Sequence, residues 1–190
     1  MTSRAALLTL ALLCSAGRAR GSGEATAVFA GGCFWGVESV FEHVHGVRAA
    51  VSGYADGMIE AVRVRYDPEQ VSYRELLEVF FLIAHDPTSR DRQGPDVGPE
   101  YRAVVYYGSP EQRQAVMGYL AELEGSHRFS KPIVTEVRPL GPFRVAETFH
   151  QNYAVRHAKD PYIVINDAPK LERLRRAYPG LFQERSALVE

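Results

Sequence analysis

Two side chains in this sequence have the types and settings of a nucleophile and an acid. The first is Cys33, inside the stretch Gly31-Gly32-Cys33-Phe34-Trp35-Gly36. A short apolar strand pattern, Thr26-Ala27-Val28-Phe29-Ala30, precedes it, and a helical pattern follows, with Phe34, Val37, Val40, Phe41 and Val44 on one stripe. The glycines permit a tight strand-to-helix turn. Cys33 is thereby expected at or beside a helix N-terminus, where free N–H groups and the positive dipole end favour a thiolate. Taken alone, such a cysteine reads equally as a small buried hydrophobe. Trp35 falls nearly opposite the centre of the stripe, which suits an aromatic wall of a pocket or packing on another element. The second side chain is Glu60. In the strand pattern from Glu60 to Tyr66, Glu60, Val62, Val64 and Tyr66 share one face and Ala61, Arg63 and Arg65 the other. A carboxyl at the head of an apolar face is partly desolvated, which raises its pKa. It can then donate a proton as a general acid; the plainer reading is a strand-end glutamate turned to water.

These residues also carry a family resemblance. Gly-Gly-Cys-Phe-Trp-Gly resembles the active-site signature of methionine sulfoxide reductase A, the peptide-methionine (S)-S-oxide reductases. Glu60-Ala61-Val62-Arg63-Val64 resembles that family's strand bearing its catalytic glutamate. Gln93 to Arg102, reading Gln-Gly-Pro-Asp-Val-Gly-Pro-Glu-Tyr-Arg, resembles its second active-site segment, with Asp96 and Tyr101 at the positions of polar groups around the sulfoxide. Phe149-His150-Gln151-Asn152-Tyr153 is also similar to the family, and the resemblance spans about residues 26 to 182. It implies an α+β fold, a two-layer α/β sandwich of ferredoxin-like character with a mostly antiparallel sheet and packed helices. It implies reduction of methionine S-sulfoxide, free or in proteins, a polar and chiral lesion repaired by one enzyme per epimer. Cys33 would attack sulfur and become a sulfenic acid, Glu60 would protonate the oxygen with help from Tyr101, and Phe34 and Trp35 would hold the S-methyl group. No metal or organic cofactor is implied; the reductant would be an external thiol, such as a thioredoxin-like protein.

Two features depart from the family pattern. The usual longer, glycine-rich loop before the glutamate strand, with a tyrosine that helps bind the sulfoxide oxygen, is reduced to Ala55-Asp56-Gly57-Met58-Ile59. Tyr54, at its edge, is the nearest substitute donor. C-terminal recycling cysteines, which many members carry, are absent from this sequence, whose two cysteines are Cys14 and Cys33. A binding protein for oxidised methionine that has lost turnover is therefore an alternative. A cysteine hydrolase is another, using Cys33 with His150 and Asn152.

The remaining chain must position these groups. Gly46 marks the end of the first helix, Val47 to Tyr54 reads as a strand, and Ser72-Tyr73-Arg74-Glu75 has capping-box spacing before Leu76, Leu77, Phe80, Phe81 and Ile83. The loop from Ser89 to Glu100, taken alone, reads as an ordinary surface loop. Strands are expected over Ala103–Tyr107 and Ile133–Val137, a helix from Ser109-Pro110 to Gly125, and a basic terminal helix with Lys170, Arg173, Arg175 and Arg176 on a solvated face. At 190 residues and 46% apolar content, one catalytic domain over 21–190 is expected after an N-terminal extension. Residues 1–20 read as a secretory signal: Arg4, the short apolar run Ala5 to Leu13, then small residues with Ala19 before the cleavage site. Export to a bacterial periplasm is the corresponding expectation. Lipoprotein anchoring through Cys14 ranks second because Leu13 is a poor residue before that cleavage. Net charge is −1 with no basic stripe, which argues against nucleic acid, and no segment suits a stable membrane span. A monomer is expected.

Overall fold

The computed structural model describes residues 23–184 and 186–188; the expected signal over residues 1–20, with Cys14, lies outside them. The fold is α+β. Six strands, β1 (Ala25–Ala30), β2 (Val47–Ala55), β3 (Ile59–Tyr66), β6 (Val104–Tyr107), β7 (Glu136–Pro139) and β8 (Phe143–Val145), form one sheet in the order β7-β6-β1-β3-β2-β8. All neighbours are antiparallel except β6 and β7, which are parallel. The sheet is thus mixed. A separate two-stranded ribbon, β4 (Arg92–Gln93) with β5 (Asp96–Val97), gives structure to the loop that carries Asp96.

The main core lies between the sheet and α1 (Phe34–Glu42), α2 (Tyr73–Val79), α3 (Pro110–Gly125) and α5 (Ala168–Ala177). The α1 stripe is fully used: Phe34, Val37, Val40, Phe41 and Val44 are all buried. β3 contributes Val62, Val64 and Tyr66 to the same core, the face expected from its alternation. Its other face, with Ile59 and Ala61, joins Val28, Ala55, Val104 and Tyr106 in a smaller core inside the curled sheet. The tip of the β2–β3 hairpin spans this curl, because Asp56 accepts hydrogen bonds from the Tyr106 hydroxyl at 3.0 Å and from Arg138 at 2.6 Å. The shortened turn before Glu60 is therefore an anchored element.

The capping box at Ser72 and Glu75 forms in full. α2 runs on as a π-helical turn, Phe80–Ala84, ending at buried His85. The strand expected over Ile133–Val137 begins later, at Glu136, and β8 was not anticipated, since three residues give too little alternation to read. Of the terminal basic residues, Arg175 and Arg176 lie on the solvated face in exposed pairs with Glu184 and Glu172, whereas Lys170 turns inward to Asp167 and Arg173 donates to the Ile83 carbonyl.

One core group opposes folding. Glu42 is fully buried, and neither of its carboxylate oxygens has a hydrogen-bond partner. Burial first and neighbouring Glu38 second push it up to about 8, offset in part by Arg156. The native state therefore binds a proton that the unfolded chain releases near its ordinary value of 4.5, so stability falls as pH rises from there to about 8. Glu42→Leu is expected to stabilise the protein at pH 8 by about 1–3 kcal/mol, the usual cost of an unsatisfied buried polar group. The gain should shrink at pH 5, and chemical denaturation of both proteins at the two pH values checks it.

Candidate active site

The site is built where β1 stops. Gly32 has φ +90°, and a Cβ there would fall 2.4 Å from the Gln93 side chain, so glycine makes both the turn and the close approach. Cys33 is the residue before α1, and the first helical amide, Phe34 N–H, donates to Glu60 Oε2 at 2.9 Å. Gly36 lets the C-terminal region close over this helix: a Cβ would lie 2.0 Å from Asp167 Oδ1.

Glu60 is half-buried, and its carboxyl is pushed up to about 7 by burial, with Asp96 and Glu100 adding repulsion against the Phe34 amide bond. This upward direction agrees with the desolvation expected at the head of an apolar strand face. Cys33 differs from expectation. Its thiol is pushed up to about 12, first by burial and then by the Glu60 carboxylate. Hydrogen bonds from the Tyr162 hydroxyl and the Trp35 amide pull it down without winning. The helix terminus does not supply a resting thiolate because burial outweighs the Trp35 amide: Cys33 is only 9% exposed, and the leading Phe34 amide goes to Glu60.

Asp96 and Tyr101 come from β5 and from a 3₁₀ turn, Pro99–Tyr101. Burial pushes Tyr101 up to about 12, followed by the fields of Glu60, Asp96 and Cys33, so the four groups share one site. Asp96 accepts a hydrogen bond from the Tyr162 hydroxyl at 2.5 Å. Tyr162, which also meets the sulfur, was missed from the sequence; a tyrosine leading the apolar run Ile163-Val164-Ile165 was the available signal. A cavity of about 220 Å³ beside Cys33 is lined by Asp96, Tyr162, Gln93 and Asn166, among others.

The aromatic groups assemble on the other side. Trp35 stacks on Tyr153 with ring centroids 3.8 Å apart and a plane angle of 11°, and meets Tyr162 edge-on. Its indole N–H donates to His150 Nδ1 at 3.1 Å. Phe34 is 2% exposed, with Tyr54 and His150 rings at 5.7 and 5.0 Å. Tyr54, the suggested substitute donor, gives its hydroxyl to Glu147 at 3.3 Å. His150 Nδ1 is occupied by the Trp35 indole, and its ring lies against Phe34 and Trp35 as part of the aromatic wall. Among the described residues no cluster of three His, Cys, Asp or Glu is arranged to hold a metal ion.

Thiol alkylation across pH tests this electrostatic picture. In the free protein, Cys33 should titrate well above the unperturbed value of about 8.5. Tyr162→Phe, by deleting a bond that favours the thiolate, should move it further up and slow alkylation at pH 8. An apparent value at or below the unperturbed one contradicts it.

The chain matches the protein family described as peptide methionine sulfoxide reductase over residues 25–180. It is 40% identical over 183 residues to peptide methionine sulfoxide reductase MsrA 2 of Mesorhizobium japonicum, covering 88% of this chain and 94% of that one. Its fold is similar to Mxr1 from Saccharomyces cerevisiae in reduced form, with a TM-score of 0.65 at 26% identity over 72% of this chain and 87% of the other. It is also similar to Mxr1 solved in complex with Trx2, with a TM-score of 0.51 at 25% identity, covering 69% and 85% of the two chains. With a buried thiol, a raised carboxyl and an aromatic wall converging at the matched segments, the chain belongs to the peptide methionine sulfoxide reductase family.

Proposed function

We propose that Cys33 is the nucleophile and Glu60 the acid of the family's reaction in this chain. The chain is a peptide-methionine (S)-S-oxide reductase and reduces methionine S-sulfoxide in proteins to methionine. The observation that carries the residue assignment is the Phe34 amide: its bond to Glu60 ties a carboxyl pushed up to about 7 to the residue next to the buried Cys33 thiol. Glu60 gives its proton to the sulfoxide oxygen as the Cys33 sulfur bonds to the substrate sulfur, and the thiol proton refills the Glu60 carboxylate. Overall the oxygen passes to Cys33 as a sulfenic acid while the substrate sulfur is reduced by two electrons and leaves as the thioether. Tyr101 supplies a hydroxyl at the oxygen, Asp96 holds Tyr162 beside Cys33, and Phe34 and Trp35 hold the S-methyl group.

Recycling needs a thiol from outside the catalytic domain. One thiol condenses with the sulfenic acid to give a mixed disulfide and water, and a second releases Cys33 and a disulfide. A thioredoxin-like protein suits this role, supported by the solved complex of the yeast relative with Trx2. The secretory reading of residues 1–20 extends the proposal to an exported enzyme, periplasmic in a bacterial host. The β6-β1-β3-β2 order, antiparallel throughout with helices in the two crossovers, supports a ferredoxin-like core.

The anchored three-residue turn Asp56-Gly57-Met58 stands in place of the family's longer loop, and Tyr54 is committed to Glu147. A weakened reductase with an open pocket follows. Replacing this turn with a family-like loop should raise turnover by up to about 10²–10³-fold, the worth of a donor at a developing oxyanion.

Single-turnover reduction of stereochemically pure methionine sulfoxides tests the assignment. Cys33→Ser should abolish product, and the wild type without added thiol should give one product per enzyme. Glu60→Gln should slow chemistry by about 10²–10⁴-fold. In the wild type kcat/KM should fall above about pH 7 as Glu60 loses its proton, and the Gln variant should lose that limb. Unchanged chemistry in the Gln variant removes Glu60 from the mechanism.

A further inference from the structure

We propose that Glu38 is a positioning residue: from inside α1 its carboxylate clasps the backbone of residues 152–153 and thereby sets the Trp35 wall. The proposal rests on the reading of Trp35 as the wall of the methionine pocket. Glu38 is fully buried three residues after Trp35, on the same side of the helix. Its Oε2 accepts the Asn152 amide at 2.8 Å, and the Tyr153 amide adds a further bond. Its Oε1 accepts the Ser52 amide of β2 at 3.2 Å. Tyr153 is the residue whose ring stacks on Trp35, and His150 accepts the indole N–H. The α1 helix and the 150–153 segment are thus joined twice, by a pair of rings and by a carboxylate on amides.

The segment cannot hold this shape by itself. Asn152 has φ 56°, in the left-handed region that non-glycine residues rarely adopt. No regular ladder receives the amides that follow it, since the helix there, α4 (Tyr153–Arg156), is four residues long. Glu38 supplies the missing acceptor. Gln151 completes the clasp from the other side: its Oε1 accepts the same Ser52 amide at 3.1 Å, and its Nε2 donates to the Ser52 and Ala146 carbonyls at 3.0 and 3.1 Å. A buried carboxylate bound by several amides is costly to build for packing alone, because burial pushes it up to about 7 against those bonds. What it gains is a fixed relation between Trp35 and the two rings that hold it.

Trp35 is the only tryptophan in the chain, so its fluorescence reads the wall directly. Glu38→Gln keeps one acceptor and turns an NH₂ group toward the other amides. It should red-shift Trp35 emission, increase its quenching by acrylamide and raise KM for a methionine sulfoxide peptide about tenfold, the effect of losing a charge-assisted bond. The single-turnover rate at saturating substrate should change less. Glu38→Ala should go further in the same direction, and Gln151→Leu, which leaves the buried carboxylate intact, should produce the same signature more weakly. Unchanged emission and quenching in folded Glu38→Gln, or in Gln151→Leu if the first does not fold, overturns the proposal. Altered fluorescence with unchanged KM upholds the clasp and instead sinks the reading of Trp35 as the substrate wall.

Discussion

The hydrogen bond from Phe34 N–H to Glu60 is the contact on which the site depends. It joins the first turn of a helix to the head of a strand two segments later in the chain. The sheet makes it possible: β1 and β3 pair antiparallel with Phe29 opposite Val62, and continuing that register places Glu60 across from the Gly31 turn. The carboxyl therefore reaches the free amide that a helix start presents. One backbone register fixes the distance between the proposed nucleophile's turn and the proposed acid, and the α1 stripe fixes the helix against the sheet.

This arrangement changes how the nucleophile is activated. A carboxylate on the leading amide uses the donor that could have stabilised a thiolate, and its field raises the neighbouring thiol. The resting site consequently keeps the Cys33 proton near neutrality and shifts the Glu60 carboxyl upward to about 7. That suits a lone catalytic cysteine, since thiolate character and exposure are what make a thiol prone to stray oxidation. In the proposed mechanism, proton transfer from Glu60 to the sulfoxide oxygen removes its carboxyl proton and leaves a base for the thiol proton. Acid and nucleophile are then activated together by the substrate, not in advance of it.

Local pattern carried much of this. The strand, the glycine turn and the α1 stripe follow from periodicity and the conformational freedom of glycine, and Ser72 with Glu75 announced the next helix. The Glu60 face followed from a period of two along β3. What local pattern could not carry is contact between distant segments. Tyr162 enters the site from the region after α4, and Glu38 looked like any residue between apolar positions of α1 until Asn152 arrived beneath it. The helix-dipole argument for Cys33 fails on tertiary burial: the packing around the sulfur outweighs the Trp35 amide that still reaches it, and Glu60, 27 positions on in sequence number, adds to the penalty. The parallel β6–β7 pair is likewise a tertiary choice, because nothing in either strand specifies the partner's direction.

The short β2–β3 turn takes a different meaning in this setting. In the sequence it marks the loss of a loop and of a tyrosine hydroxyl. In the fold, the Tyr101 hydroxyl comes to the site on its 3₁₀ turn, and Asp96 holds Tyr162 beside it. The same carboxylates serve Glu60, because Asp96 and Glu100 repel its ionised form and keep the acid loaded. Had the polar segment 96–101 carried neutral side chains, burial alone would have had to hold that proton against the Phe34 amide, which favours losing it. The acidic residues around the pocket thus act on the protonation state of one group, the proposed acid for the sulfoxide oxygen.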